Sequence, residues 1–220
     1  MLTITALKKK YGVHTTKNHE GKMLGLSSIS TSSLCNANCI KRSNIPGTIC
    51  SKCYANSLQE YRTNMADCFK RNTEVLTTVI IPEEDLPILF SETGLFRFEA
   101  FGDLNNEIQV VNYFNMARAN PSVKFALWTK NPWIIQSAIE KYGLVKPGNL
   151  QIIGSSYYIN KPMKEFFERY DFIDNIFTVY DKNYIKENNV NITCGSRSCA
   201  TCQKCYLGTH EEYEIREKLK

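Results

Sequence analysis

The chain of 220 residues is 43% hydrophobic and 22% charged, with 11 Gly and 7 Pro, a balance that excludes collagen-like and low-complexity chains. Its length suits one α/β domain, or one domain with a small appendage. The 27 Lys and Arg against 22 Asp and Glu give a net charge of +5, which tolerates a nucleotide or nucleic acid as partner although the longest basic tract is Lys8-Lys9-Lys10.

The first 20 residues read as polar and irregular, and their basic run follows a short apolar segment, the reverse of a secretory signal. No apolar run reaches the roughly 18 residues that span a bilayer. The expectation is therefore a soluble, cytoplasmic chain with no membrane partner. A strand is predicted over residues 24–30, then a Ser/Asn/Cys loop to about residue 52. A helix follows over 54–71, with an extension or second helix over 73–81. A strand–helix rhythm then sets in: strand 96–101, helix Glu107–Ala119, strand 123–128, and a helix opened by Asn131-Pro132 and running to about Tyr142. Strand Leu150–Ser155, a helical segment over 161–170 and strand Asn175–Tyr180 complete it.

Such alternation predicts an α/β fold with a parallel sheet. The five visible strands suit an open or partial (β/α) barrel, with a doubly wound sheet as the alternative. The expected organisation is a partial barrel over residues 1–190 and a Cys-rich, metal-binding segment over 191–220 packed on it. The strand ends are polar: Gly102-Asp103-Leu104-Asn105, Thr129-Lys130-Asn131, Ser155-Ser156 and Asp181-Lys182. In parallel α/β folds such ends build the ligand site.

Nine cysteines are the unusual feature. An odd number in a chain able to bury its own core points to ligands rather than bridges. Cys35, Cys39, Cys50 and Cys53 lie in the loop between the first strand and first helix, with Cys50 and Cys53 at the helix start, where backbone N–H groups favour anionic sulfur. Cys194, Cys199, Cys202 and Cys205 form a second group, whose last three follow a C-x₂-C-x₂-C rhythm. That rhythm favours an iron–sulfur cluster, with zinc as the alternative metal. Cys35 is either a ligand or a neighbour of the trio Cys39, Cys50 and Cys53. Cys68, alone in a helix, is assigned to packing.

The stretch Ser30-Thr31-Ser32-Ser33-Leu34 leading to Cys39, and Ile49-Cys50-Ser51-Lys52-Cys53-Tyr54-Ala55, resemble the cysteine-Tyr-Ala signature of a phage-encoded family called gene product eighty-eight. Residues 96–105, 125–131 and 194–206 resemble that family's later blocks. Its layout is similar to radical S-adenosylmethionine enzymes, in which a three-cysteine loop follows the first strand of a partial, TIM-like (β/α) barrel. The spacing here, Cys39-x₁₀-Cys50-x₂-Cys53, departs from the usual C-x₃-C-x₂-C. The likeness implies one or two [4Fe–4S] clusters, the first held by Cys39, Cys50 and Cys53 with one iron open to S-adenosylmethionine. Cys194, Cys199, Cys202 and Cys205 would hold a second centre or lend a ligand to the first. It further implies Glu99, Gly102 and Asp103 near the methionine amine, Lys130 near a ribose or carboxylate, and Tyr54 over the cluster. Trp128 is assigned to its strand's packing.

Two functions follow. One is a phage-type iron–sulfur protein with radical S-adenosylmethionine-like activity in the host cytoplasm. The other is a non-catalytic, metal-stabilised binding protein acting on host or phage nucleic-acid machinery. A zinc hydrolase is disfavoured because His14, His19 and His210 show no HExxH arrangement, and neither a G-x-S-x-G elbow nor a phosphate-binding GxxxxGK[ST] loop occurs.

Overall fold

Strand residues alternate between two faces, and this sorts the apolar side chains of the chain into two layers. The computed structural model describes residues 1–195, 198–208 and 213–219. Helix α1 (Ile4–Tyr11) is capped by the Thr3 hydroxyl, which accepts from the Ala6 N–H at 3.1 Å. Strand β1 (Thr16–Lys17) pairs antiparallel with β2 (Ser27–Ile29), after which come helices α2 (Ala37–Ser43), α3 (Tyr54–Tyr61) and α4 (Thr63–Leu76). Strand β3 (Leu95–Phe98), α5 (Glu107–Ala119), β4 (Lys124–Thr129), α6 (Pro132–Tyr142), β5 (Leu150–Ser155), α7 (Lys164–Phe167) and β6 (Asn175–Tyr180) alternate in turn. Helix α8 (Lys182–Asn188), the short helices α9 (Cys199–Cys202) and α10 (Lys204–Leu207), and β7 (Glu214–Lys218) complete the chain.

The seven strands form one open sheet in sequential order, parallel from β2 to β7. A doubly wound sheet needs a point where strand order reverses, and this sheet has none. On one face Ile29, Phe96, Phe98, Phe125, Leu127, Leu150, Ile152 and Ile176 pack against buried residues of α4, α5 and α6. Aromatic stacking runs through this layer, with Phe98 4.3 Å from Tyr113 and 5.0 Å from Phe125 between ring centroids. On the other face Leu26, Leu95, Ala126, Trp128, Ile153 and Phe177 pack against Cys199, Cys205 and Tyr206. The C-terminal segment thus covers the face that the large helices leave bare, and it then adds β7 to the sheet.

The first 20 residues are more ordered than their polarity suggests, because Leu7 of α1 is buried in the helix-side core beside Val13. The helix predicted over 54–71 is two helices, broken at Arg62 (φ −111, ψ 75), and the second runs on to Leu76. Among the described residues no helix is long and apolar enough to cross a membrane.

Candidate metal centre at the strand ends

The loop after β2 is held by its own hydroxyls. Ser32 donates to Gln59 Oε1 at 2.7 Å, Ser33 donates to Asn56 Oδ1 at 2.7 Å, and Gln59 Nε2 donates to Ser33 Oγ at 2.7 Å. These bonds fasten the start of the cysteine loop to α3. Asn36 then caps α2: its Oδ1 accepts from the N–H groups of Asn38 and Cys39 at 2.9 and 3.1 Å. Its amide donates to the carbonyls of Asp103 and Leu104, both at 3.0 Å, so α2 is tied to the loop after β3.

Arg42 lies three residues after Cys39, on the same helical face. Its guanidinium donates to Asn131 Oδ1 at 2.8 Å and to Asp103 Oδ2 at 3.2 Å, and both residues of this ion pair are buried. Asp103 also accepts from Thr129 Oγ1 at 2.7 Å and from the Lys130 N–H at 3.1 Å. The ends of β3 and β4 therefore hold the helix that carries Cys39. Removing one partner of such a buried pair costs about 3–5 kcal/mol, so the position of Cys39 is strongly determined.

Cys50 sits in a 3-10 turn, Ile49–Lys52, capped by the Thr48 hydroxyl, which accepts from the Ser51 N–H at 3.1 Å. The Ile49 N–H donates to the Tyr157 carbonyl at 2.8 Å and joins this turn to the loop after β5. Cys53 is the N-cap residue of α3. Cys39 and Cys50 lie within one another's electrostatic field, and burial pushes the Cys39 thiol up, with Asp103 adding to it and Arg42 and Lys130 opposing it. Metal uptake at such a thiol must release a proton. Cys35 is exposed, at the end of a separate turn.

Tyr54 follows Cys53; its ring is open to solvent, while its hydroxyl reaches inward to the Ala100 carbonyl at 2.8 Å and is pushed up by burial. Glu99, at the end of β3, takes φ 56, a left-handed conformation unusual for a side-chain-bearing residue. Its enclosed carboxylate accepts from the Thr31 N–H at 3.1 Å, from Gln109 Nε2 at 2.6 Å and from the Tyr113 hydroxyl. Burial pushes it up to about 7 against the pull of these bonds. A Cβ at Gly102 would lie 2.3 Å from Glu99 Oε2 and 2.6 Å from the Thr31 carbonyl oxygen, so glycine is required here by the protein's own packing. Glu99 and Asp103 are thus both engaged internally.

Half-buried Lys130 reaches from β4 to the end of β5, its Nζ donating to Ser155 Oγ at 2.8 Å. Tyr157 donates to the Lys130 carbonyl at 2.7 Å, its ring lies 5.4 Å from the Arg42 guanidinium, and burial pushes its hydroxyl up to about 12.

In the second group, Lys22 Nζ lies 3.6 Å from Cys194 Sγ and donates to the Cys194 carbonyl at 3.0 Å. Cys199 and Cys202 bound α9, and Cys205 follows in α10 after Gln203 turns the chain at φ 53. Burial pushes up the thiols of Cys194, Cys199 and Cys205, and the Cys205 thiol feels the other three sulfurs of the group. All nine cysteines are free of disulfides, and among the described residues no three His, Cys, Asp or Glu side chains converge on one ion. Cys68 lies 3.3 Å from Arg71 Nη2 in its own helix and 3.7 Å from His14 Nδ1 of the segment after α1, away from both cysteine groups. His19 is exposed, and His210 lies outside the described residues.

Sequence reasoning missed Arg42, Asn36 and Tyr157, which frame the site, and it placed Thr129 and Asn131 at a polar strand end without their bonds to Asp103 and Arg42. Arg42 carried a usable signal, its three-residue spacing from Cys39. The others become visible only when strand ends are brought together. No family model, curated protein or solved structure matches the chain, so its chemistry is argued from these residues.

Proposed function

We propose that the chain is an iron–sulfur protein built on a partial (β/α) barrel, with a cluster held by Cys39, Cys50 and Cys53 above the strand ends. The observation that carries this reading is the Asn36–Arg42–Asp103 network, which fixes the helix carrying Cys39 at the C-terminal ends of parallel strands, within the electrostatic reach of Cys50. The donor chemistry fits: soft thiol ligands, unpaired by disulfides, suit iron–sulfur centres. Free thiols in this number also suit a reducing compartment, the cytoplasm of a host cell in the phage reading.

The activity we infer is reductive cleavage of S-adenosylmethionine. Cys39, Cys50 and Cys53 would hold the cluster, which when bound would supply a binding position for the ligand and the electron for its reductive cleavage. This chain's own residues bind and orient. Lys130 and Ser155 offer a cation and a hydroxyl at the ends of β4 and β5 for a ribose or carboxylate. Tyr54 shields the Cys53 side of the site. Glu99 and Asp103, committed to internal partners, support the cysteine loop rather than accept from a ligand's amino group. The positive charge of the chain suits a nucleotide or nucleic acid as the second substrate.

A second reading, a metal-stabilised binding protein, draws on the C-terminal group, whose four thiols are enough to saturate one metal centre. Anaerobically reconstituted protein with dithionite and S-adenosylmethionine separates the two. Release of 5′-deoxyadenosine, and a cluster spectrum altered by the ligand, are expected. A loaded protein that neither cleaves the ligand nor changes spectrum would leave only the binding protein.

A further inference from the structure

Cys68 belongs to neither cysteine group, and its surroundings are those of a nucleophile. Its sulfur lies 3.7 Å from His14 Nδ1 and accepts from Arg71 Nη2 at 3.3 Å. In the tautomer that carries its proton on Nε2, His14 offers Nδ1 to the thiol hydrogen, while the sulfur itself faces a cation. A thiol between a base and a cation is the arrangement that yields an attacking thiolate. Cys68 is only half-buried, so a small reagent can reach it.

The placement is built into the fold. Cys68, Arg71 and Asn72 are spaced at i, i+3 and i+4 along α4 and share one face of it. Asn72 is fully buried, and its Oδ1 accepts from the His14 N–H at 2.7 Å. Its amide donates to the carbonyls of His14 at 3.0 Å and Ser30 at 2.9 Å. Both backbone groups of His14 are thus clamped to the helix one turn from Cys68. Burial holds the His14 imidazole below its ordinary range, and Lys8 and Arg71 add to the effect. The ring is therefore neutral near pH 7 and able to take a proton. Among the described residues neither Lys8 nor Arg71 has an ion-pair partner, so two uncommitted positive charges flank the pair.

We infer that Cys68 is a modification site, at which His14 takes the thiol proton and the sulfur attacks an acidic low-molecular-weight disulfide of the glutathione type. The carboxylates of such a reagent suit Arg71 and Lys8. The proton passes from Cys68 to His14 Nδ1, and Sγ attacks one sulfur of the reagent. A mixed disulfide forms as the reagent's own S–S bond breaks, and the departing thiolate takes the proton. Cys68 is oxidised and one half of the reagent is reduced, so the electrons balance with no further oxidant. The step uses none of the cysteines assigned to metal, and it stands or falls apart from the reading above.

Cys35 serves as the internal control, because it is exposed and its sulfur has no hydrogen-bond partner among the described residues. The reduced full-length chain is treated with glutathione disulfide at neutral pH and quenched with acid, and each mixed disulfide is timed by peptide mass spectrometry. A free thiol is only a few per cent thiolate at that pH, so Cys68 is expected to react about 10-fold faster than Cys35. His14→Gln should bring the Cys68 rate down to that of Cys35 and leave Cys35 unchanged. Arg71→Met, at an exposed position, should act in the same direction and serves if His14→Gln does not fold. Arg71→Lys should recover part of the rate. With uncharged hydroxyethyl disulfide the loss in Arg71→Met should be smaller. A Cys68 that reacts no faster than Cys35 overturns the inference, as does a Cys68 rate that neither His14→Gln nor Arg71→Met lowers. Equal losses in Arg71→Met with the two reagents overturn the assignment to acidic disulfides.

Discussion

Glu99 concentrates several constraints in one side chain: a left-handed backbone, full burial, and hydrogen bonds from Thr31, Gln109 and Tyr113. Burial raises its carboxyl from 4.5 to about 7 in the fold. The folded chain therefore binds more protons than the unfolded chain between those values, and stability contributed by Glu99 is complete below the lower one and is lost as pH rises through the upper. The loss is on the order of 3 kcal/mol. Urea denaturation across that range should show the decline in the parent, and Glu99→Gln should remove that part of the slope. A parent and variant with parallel pH profiles would show that the carboxyl is not perturbed by burial. At this scale the cysteines were legible from residue type and spacing. Glu99 was legible only as an acid near a strand end, because the groups that satisfy it come from β2's loop and from α5, distant in sequence.

Among the elements, β5, β6, α5 and α6 match their predicted spans because their periodicity agrees with their burial. The misses have physical causes. In α1, Lys8-Lys9-Lys10 obscures the Ile4–Leu7–Tyr11 stripe that packs on the core. β7 reads Glu-Ile-Arg-Glu-Lys and buries only Ile215, the charged composition typical of an edge strand. β2 is shorter than predicted because Gly25, at φ 80, turns the chain just before it. Gly154 within β5 is explained by its neighbour: a Cβ there would lie 2.4 Å from the Phe167 ring of α7. Gly154→Ala should destabilise the chain by about 1–3 kcal/mol through overpacking, read as a lowered thermal midpoint. Pairing it with Phe167→Leu should recover part of the loss, whereas an undiminished deficit in the double variant would mean that the ring is not the obstacle.

For the whole molecule, sequential strand order matters most, because it puts the loops after β2, β3, β4 and β5 at one end of a single sheet. Parallel strands with polar ends were legible in the sequence. Their order was not, since it depends on which edges meet in space. That order brings Cys39, Arg42, Asp103 and Lys130 together from separate stretches, while the C-terminal cysteines close over the opposite face from the large helices. Two thiol groups on one sheet, in distinct electrostatic settings, are the donors on which the proposed metal reading rests. The most direct test is iron and acid-labile sulfide per chain after anaerobic reconstitution, in the parent and in the Cys39→Ala/Cys50→Ala protein. A brown parent with iron and sulfide in equal amounts, and loss of the strand-end share in the double variant with the fold intact, is the expected result. A colourless, iron-free parent, or a double variant that keeps all its iron, would contradict it.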